Sequence, residues 1–352
     1  MGWGYLLILL GSILFCVMTA VRKEYQREVT ATLKTALLFV LINSLFLCAI
    51  GLVYFFVTNF TLVTKINGVV FGLGLLFAFI LVVNTSLCIF GAKHGSLAIL
   101  TVFATLGTLV ISTLFGLIVN PTENKLSVFN VIGLIISTVI ISLSFIANKK
   151  GEEDNAVKSS KAFIFICLAV FLFNGSALSV YSAFTSTSAQ YGTFNFIFLY
   201  SFFCVIICLI ALLILFITSK KRGESFEVKK CITKKPLFYA IIYGAMFCCS
   251  EFLSITTTTV LPIIVQAPLT FAINVIIVAI ADYVIYKQKL TKIQITQITA
   301  TELPALFSTT ASDEFVVQPR NLYSTFSRLH ASPTKVSIDI STFLLVGIIK
   351  SP

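Results

Sequence analysis

Nine stretches of 19 to 27 residues contain no lysine or arginine: 3–21, 35–57, 67–90, 95–119, 127–147, 162–184, 193–217, 237–257 and 260–286. A helix needs about 20 apolar residues to cross the hydrocarbon of a bilayer. Only 11% of the chain is charged and its mean hydropathy is +1.01, where a soluble domain carries about 25% charge. Nine such stretches joined by short loops leave no polar outer layer, so the expected solvent is lipid. The alternation that marks a membrane β-barrel is absent. The expected fold is all-α, a polytopic protein of the cell membrane.

The net charge of +11 does not point to nucleic acid, because the basic residues sit in loops between apolar spans. The odd-numbered loops hold groups such as Arg22, Lys23, Arg27 and Lys34, or Lys220, Lys221 and Arg222, while the even-numbered loops hold only Lys65 and Lys125. By the positive-inside bias this predicts odd loops in the cytoplasm and the N-terminus outside. Arg22 and Lys23 follow the first span rather than precede it, the reverse of a signal peptide, so that span is expected to be retained. Eight of the nine cysteines lie in apolar runs and behave as small hydrophobes, and His94 and His330 are far apart in sequence. Neither a disulfide framework nor a metal site is expected. No GxxxxGK[ST] sequence occurs and no nucleophile–His pairing falls within the spans, so neither ATP hydrolysis nor a membrane hydrolase is expected, and no cofactor.

The chain repeats weakly on itself. Gly11-Ser12 recurs as Gly175-Ser176 and Lys125-Leu126 as Lys289-Leu290, both at an offset of 164. Between windows 84–126 and 248–290 only five residues match, but the span edges fall in step without a gap. Five spans per unit is an odd number, so the second unit enters the membrane from the other side, the inverted plan of many secondary transporters. The expected organisation is a first five-helix repeat at 1–147, a polar cytoplasmic linker at 148–161, a second repeat at 162–298 and an atypical polar tail at 299–352. The tenth span is degenerate or missing: Glu302 and Pro304 stand where the bilayer belongs. Either the chain ends in an unusual soluble tail or its reading frame changed near residue 297; the second is the expectation, and resequencing the coding region checks it.

Each unit's fourth span ends in a short turn and a Lys-Leu-Ser/Thr start, Thr122-Glu123-Asn124-Lys125-Leu126-Ser127 and Tyr286-Lys287-Gln288-Lys289-Leu290-Thr291. In this the chain, over roughly residues 1–298, resembles the EamA-like group of the drug/metabolite transporter superfamily. That group often has Gly-Glu before the Lys/Arg-Leu, where this chain has Glu123-Asn124 and Lys287-Gln288. The resemblance implies ten helices in two repeats and no enzymatic activity. It implies alternating-access export or exchange of small metabolites, amino acids or drugs, often coupled to protons. Uncoupled facilitation is the alternative within transport, and a non-transporting subunit or receptor the alternative outside it.

Of fourteen acidic residues only Glu251 and Asp282 fall within a span. Intramembrane carboxyls are expensive and mark ion or substrate paths. Glu251 is the expected proton carrier, against a structural glutamate bonded to a neighbouring helix. Asp282, near the far end of the ninth span, competes with a plain pairing to Lys287 or Lys289. Pro262 and Pro268 are expected to disrupt the ninth helix near its start, with Gln266 between them and Asn274 on nearly the same face. Asn84 in the first unit, and Asn174 and Tyr181 in the sixth span, are further cavity candidates. Thr101, Thr105, Thr108 and Ser112 share one helix face and are better read as packing contacts.

Overall fold

The computed structural model describes residues 2–30, 32–57, 67–91, 97–119, 161–188, 191–221 and 233–286. They form eight helices: α1 (Gly2–Glu28), α2 (Leu33–Val57), α3 (Gly68–Gly91), α4 (Leu97–Val119), α5 (Lys161–Ser188), α6 (Thr193–Lys221), α7 (Lys234–Val260) and α8 (Ile263–Tyr286). No strand occurs among the described residues. Six helices (α1, α2, α3, α5, α6 and α7) are long and apolar enough to cross a membrane, while α4 and α8 contribute shorter apolar stretches, Phe103–Val119 and Ile263–Asn274. The chain is therefore an all-helical bundle of the kind a membrane protein forms. The expected fifth span, 127–147, and the tail, 299–352, lie outside the described residues.

Helix is the natural outcome for these sequences, because in hydrocarbon peptide groups must be paired within a helix or a closed barrel, and the alternation of a barrel is absent. Several helices outrun their apolar spans. The α1 helix continues through Arg22–Glu28, and its 27 residues make it about 40 Å long, more than the roughly 30 Å of hydrocarbon. Its last turns are held by polar contacts: Arg27 Nη1 lies 2.5 Å from Glu24, and Lys235 Nζ of α7 lies 3.4 Å from Glu28.

The boundary between the last two helices differs from the expected one. Val260 ends α7, Leu261 is extended, and α8 begins at Ile263. Pro262 does not disrupt a helix. It sits in the turn, and its carbonyl accepts the first bonds of α8 from the amides of Val265 and Gln266, both at 3.0 Å. A proline just before a helix loses nothing, since the N–H it lacks would have no intrahelical acceptor there. Pro268 does lie inside α8, where it deprives the Ile264 carbonyl of its helical donor.

The helices pack in definite pairs: α4 with α5, α1 with α7, α2 with α6, α3 with both α5 and α6, α2 with α7, and α8 with α1 and α4. Side chains give the directions. Phe77 meets Tyr181 and Asn84 meets Asn174, so α3 and α5 are antiparallel. Gly4 lies against Leu261 while Glu28 reaches Lys235, so α1 and α7 are antiparallel too. By contrast α4 and α5 run parallel: Leu100 clusters with Ile166 and Cys167, and Ser112 meets Gly175 further along both helices. The core centres on Phe77, whose ring lies 4.7 Å from both Tyr181 and Tyr200. The outward face of α6 (Leu209, Ile210, Leu213, Ile214) is exposed and apolar, as a lipid-facing surface should be.

The α4–α5 contact is made backbone to backbone. A Cβ on Gly107 would overlap the Phe171 carbonyl, and one on Gly175 would overlap the Gly107 carbonyl. Gly11, the residue matched to Gly175 in the sequence repeat, has open space around it. Gly175→Val is therefore expected to destabilise the protein by about 1–3 kcal/mol through overpacking. Gly11→Ala should leave it unchanged or gain up to about 1 kcal/mol of helix propensity. Thermal unfolding in detergent checks both, and equal responses would contradict the packing described.

Candidate functional site

The residues singled out by sequence fall into two separate groups. The first joins α3, α4 and α5. Asn84 Nδ2 donates to Asn174 Oδ1 at 2.9 Å, and Asn174 Nδ2 donates to the Ala104 carbonyl and to Thr108 Oγ1, both at 2.8 Å. Thr108 Oγ1 donates to the same Ala104 carbonyl at 3.2 Å. One amide thus has its oxygen and both its hydrogens engaged by two neighbouring helices. Ser112 adds a bond from its hydroxyl to the Gly175 carbonyl at 3.0 Å. The α4 hydroxyls Thr108 and Ser112 bind across the helix contact, as the packing reading expects. Thr105 bonds the Thr101 carbonyl of its own helix at 3.0 Å. Asn84 Oδ1 is buried and makes no hydrogen bond among the described residues.

The second group belongs to α7 and α8. Gln266 is 2% exposed and its Nε2 donates to the Ser254 carbonyl of α7 at 3.3 Å. Ser254 is three residues beyond Glu251 on the same helix face, so the tight turn at Pro262 brings Gln266 and Glu251 to one side of the α7–α8 pair. Glu251 is half-buried, and its Oε2 is shielded without a hydrogen-bond partner among the described residues. Gln266 Oε1 and Asn274 Oδ1 are in the same condition. Buried acceptors without donors are uncommon in a folded protein, and each asks for an explanation. Here three of them belong to one helical hairpin. Its hydroxyls are less informative: Thr256, Thr257, Thr258 and Thr259 all bond carbonyls of their own helix.

Tyr181 is a core residue, 4% exposed and packed on Phe77, with its hydroxyl without a hydrogen-bond partner among the described residues. Asp282 lies within the α8 backbone and its side chain falls outside the described residues. Among the described residues, no hydrogen bond links the Asn84–Asn174 group to the Glu251–Gln266 group.

Sequence reading missed one residue in this region. Arg22 was expected in a loop, yet it lies inside α1, half-buried, with its Nε shielded from solvent. The pattern Met18, Arg22, Tyr25, Val29 is the signal. Its 4, 3, 4 spacing puts all four on one helix face, and the other three are buried. Asn43 Oδ1 on α2 and the Tyr200 hydroxyl on α6 are likewise buried without a hydrogen-bond partner among the described residues, where the sequence offers only isolated polar residues in apolar runs.

No family model and no curated protein matches this chain. A solved structure described as "Crystal structure of protein" matches with a TM-score of 0.57 at 15% identity, over 89% of this chain and 97% of that one. At that identity the likeness concerns the fold alone.

Asn174→Ala should cost about 2 kcal/mol, since three bonds lose their shared amide and interhelical bonds in membranes are worth about 0.6 kcal/mol on average. Asn84→Ala, which breaks one of them, should cost less. Thermal unfolding in detergent separates the two, and a larger loss at Asn84 would remove Asn174 from the centre of the network.

Proposed function

We propose that the protein is a secondary transporter of the drug/metabolite type, built from two inverted units and moving small metabolites, amino acids or drugs across the cell membrane by alternating access. The observation that carries this is the exchange symmetry of the packing. Replacing α1–α4 by α5–α8 and the reverse turns the α1–α7 pair into α5–α3, α2–α7 into α6–α3, and α1–α8 into α5–α4. The α2–α6 and α4–α8 pairs return to themselves, while the α5–α7 contact, whose image is α1–α3, is not reproduced. A chain without internal repetition has no reason to pack in pairs that survive this exchange. The offset of 164 read from the sequence brings the starts of α3 and α4 within two residues of those of α7 and α8.

Inversion draws support from the α4–α5 pair. Parallel neighbours put the end of α4 and the start of α5 at opposite ends of the bundle, and an odd number of crossings per unit is what an inverted repeat requires. The end of α1 and the start of α7 meet where Glu28 reaches Lys235, and the helix ends on that side are basic: Arg22, Lys23 and Arg27 of α1, Lys34 of α2, Lys220 and Lys221 of α6, and Lys234 and Lys235 of α7. On the positive-inside bias that end is cytoplasmic.

Within this plan Glu251 is the proton carrier, and Gln266 and Asn274 are the polar groups that orient substrate. A carboxyl with one oxygen shielded and unbonded, on a hairpin with two further unpaired amide oxygens, is suited to exchange a proton for contacts with a solute. Proteoliposomes loaded with a pH-sensitive dye test the coupling against amino acids, nucleosides, sugars and cationic drugs. The expected result is proton movement with at least one class, abolished in Glu251→Gln while solute exchange at zero pH gradient persists. Wild-type flux that is indifferent to collapse of the pH gradient would instead make the protein a facilitator, and no flux of any class would remove the transport reading.

A further inference from the structure

We infer that Arg22 holds an oxyanion group, carboxylate or phosphate, of the ligand that enters the bundle from its basic end; on the transport reading above, on which this rests, that ligand is the substrate. Arg22 lies six residues before the end of α1, about 9 Å along the axis. It shares a face with Met18, Tyr25 and Val29, all buried. Its guanidinium lies beside the Cys88 thiol of α3 and close to Tyr243 of α7, so it is aimed between three helices and not out to the lipid. One turn on, Gln26 reaches the Ile89 carbonyl of α3 at 3.5 Å. The backbones of α1 and α3 touch at most marginally, so these long side chains cross a gap between helices.

Among the described residues the guanidinium has no counter-charge. The two carboxylates nearby on α1 are already engaged, Glu24 by Arg27 at 2.5 Å and Glu28 by Lys235 at 3.4 Å. Neither Cys88 nor Tyr243 supplies a negative charge as a neutral side chain, and Arg22 Nε has no hydrogen-bond partner among the described residues. A partly buried cation without an anion is costly. The head points at Cys88, three residues before the end of α3, so it is turned between helices near the basic end of the bundle. The planar fork of arginine matches the two oxygens of a carboxylate or phosphate, so the missing charge is one that a ligand of this class supplies.

Ligand-induced thermal shift of the purified protein in phosphatidylcholine nanodiscs tests this without any need for flux. The probes are succinate, glutamate and glycerol 3-phosphate, set against succinamide, glycerol and putrescine. At least one anion should raise the Tm saturably, the neutral and cationic compounds should not, Arg22→Gln should lose the effect, and Arg22→Lys should weaken it about tenfold. No shift from any anion, or an equal shift in Arg22→Gln, overturns the assignment. If the glutamine variant does not fold, phenylglyoxal mapping of the wild type by mass spectrometry decides: the anion protects Arg22 and not Arg27, and equal modification with and without it overturns the site. Stabilisation through Arg22 by phosphatidylglycerol nanodiscs alone would assign the guanidinium to a lipid headgroup and also overturn it. Anion binding without flux keeps the Arg22 site and removes the transport reading, while flux of a neutral compound without anion binding does the reverse.

Discussion

Hydrocarbon offers a peptide N–H or C=O no partner, so a chain that crosses it closes its hydrogen bonds within helices or within a closed barrel, and this chain lacks a barrel's alternation. This one constraint makes every described element of the chain a helix and leaves the side chains to decide how the helices meet. Apolar side chains discriminate poorly here, because lipid tails are as apolar as leucine. Arrangement then falls to the few groups that lipid cannot satisfy and to the places where backbones touch. Asn174 illustrates the first: with two hydrogens and one oxygen engaged, it fixes α5 against α3 and α4 together. Aromatic contacts such as Phe77 with Tyr181 and Tyr200 then fill the space that these fixed points define.

How much of this could be read from the sequence depends on which force is responsible. Helix positions were legible because they follow from apolar run length: the edges of α2, α3 and α4 agree with the sequence reading within two residues. Helix ends were less so. The extension of α1 through Arg22–Glu28 depends on pairs such as Lys235–Glu28, 207 residues apart, which no local pattern reveals. Pro262 was misplaced for a related reason. Proline before a helix and proline within one look alike when the flanking residues are all apolar, and only the observed turn at Leu261 tells them apart. Of the site, Glu251 and Gln266 stood out as polar residues in apolar company, but their closeness came from the turn and the Ser254 bond. Arg22 carried its signal in plain view and was lost to the assumption that a helix stops where the hydrophobic run does.

The two unusual ionisable groups sit at different depths. Gly4 beside Leu261 and Glu28 beside Lys235 set the register of α1 against α7. That register puts Glu251 level with about residue 13 of α1, roughly 14 Å from Arg22 along the axis. They are too far apart to neutralise one another through direct contact. On the proposed transport reading, a solute entering from the basic end would meet the cation first and the carboxyl afterwards, an order that favours attraction at the mouth and proton exchange inside.

The glycine contact between α4 and α5 has a mechanical meaning as well as a packing one. Side chains that interdigitate can change rotamer and let two helices slide past each other, whereas carbonyls facing bare Cα atoms have nothing to rearrange. Gly107 and Gly175 belong to different halves of the bundle. Any relative motion of those halves that preserves this contact is a swing about one fixed point. Displacement then grows with distance from it, and the largest excursions fall on the helices furthest from the α4–α5 crossing.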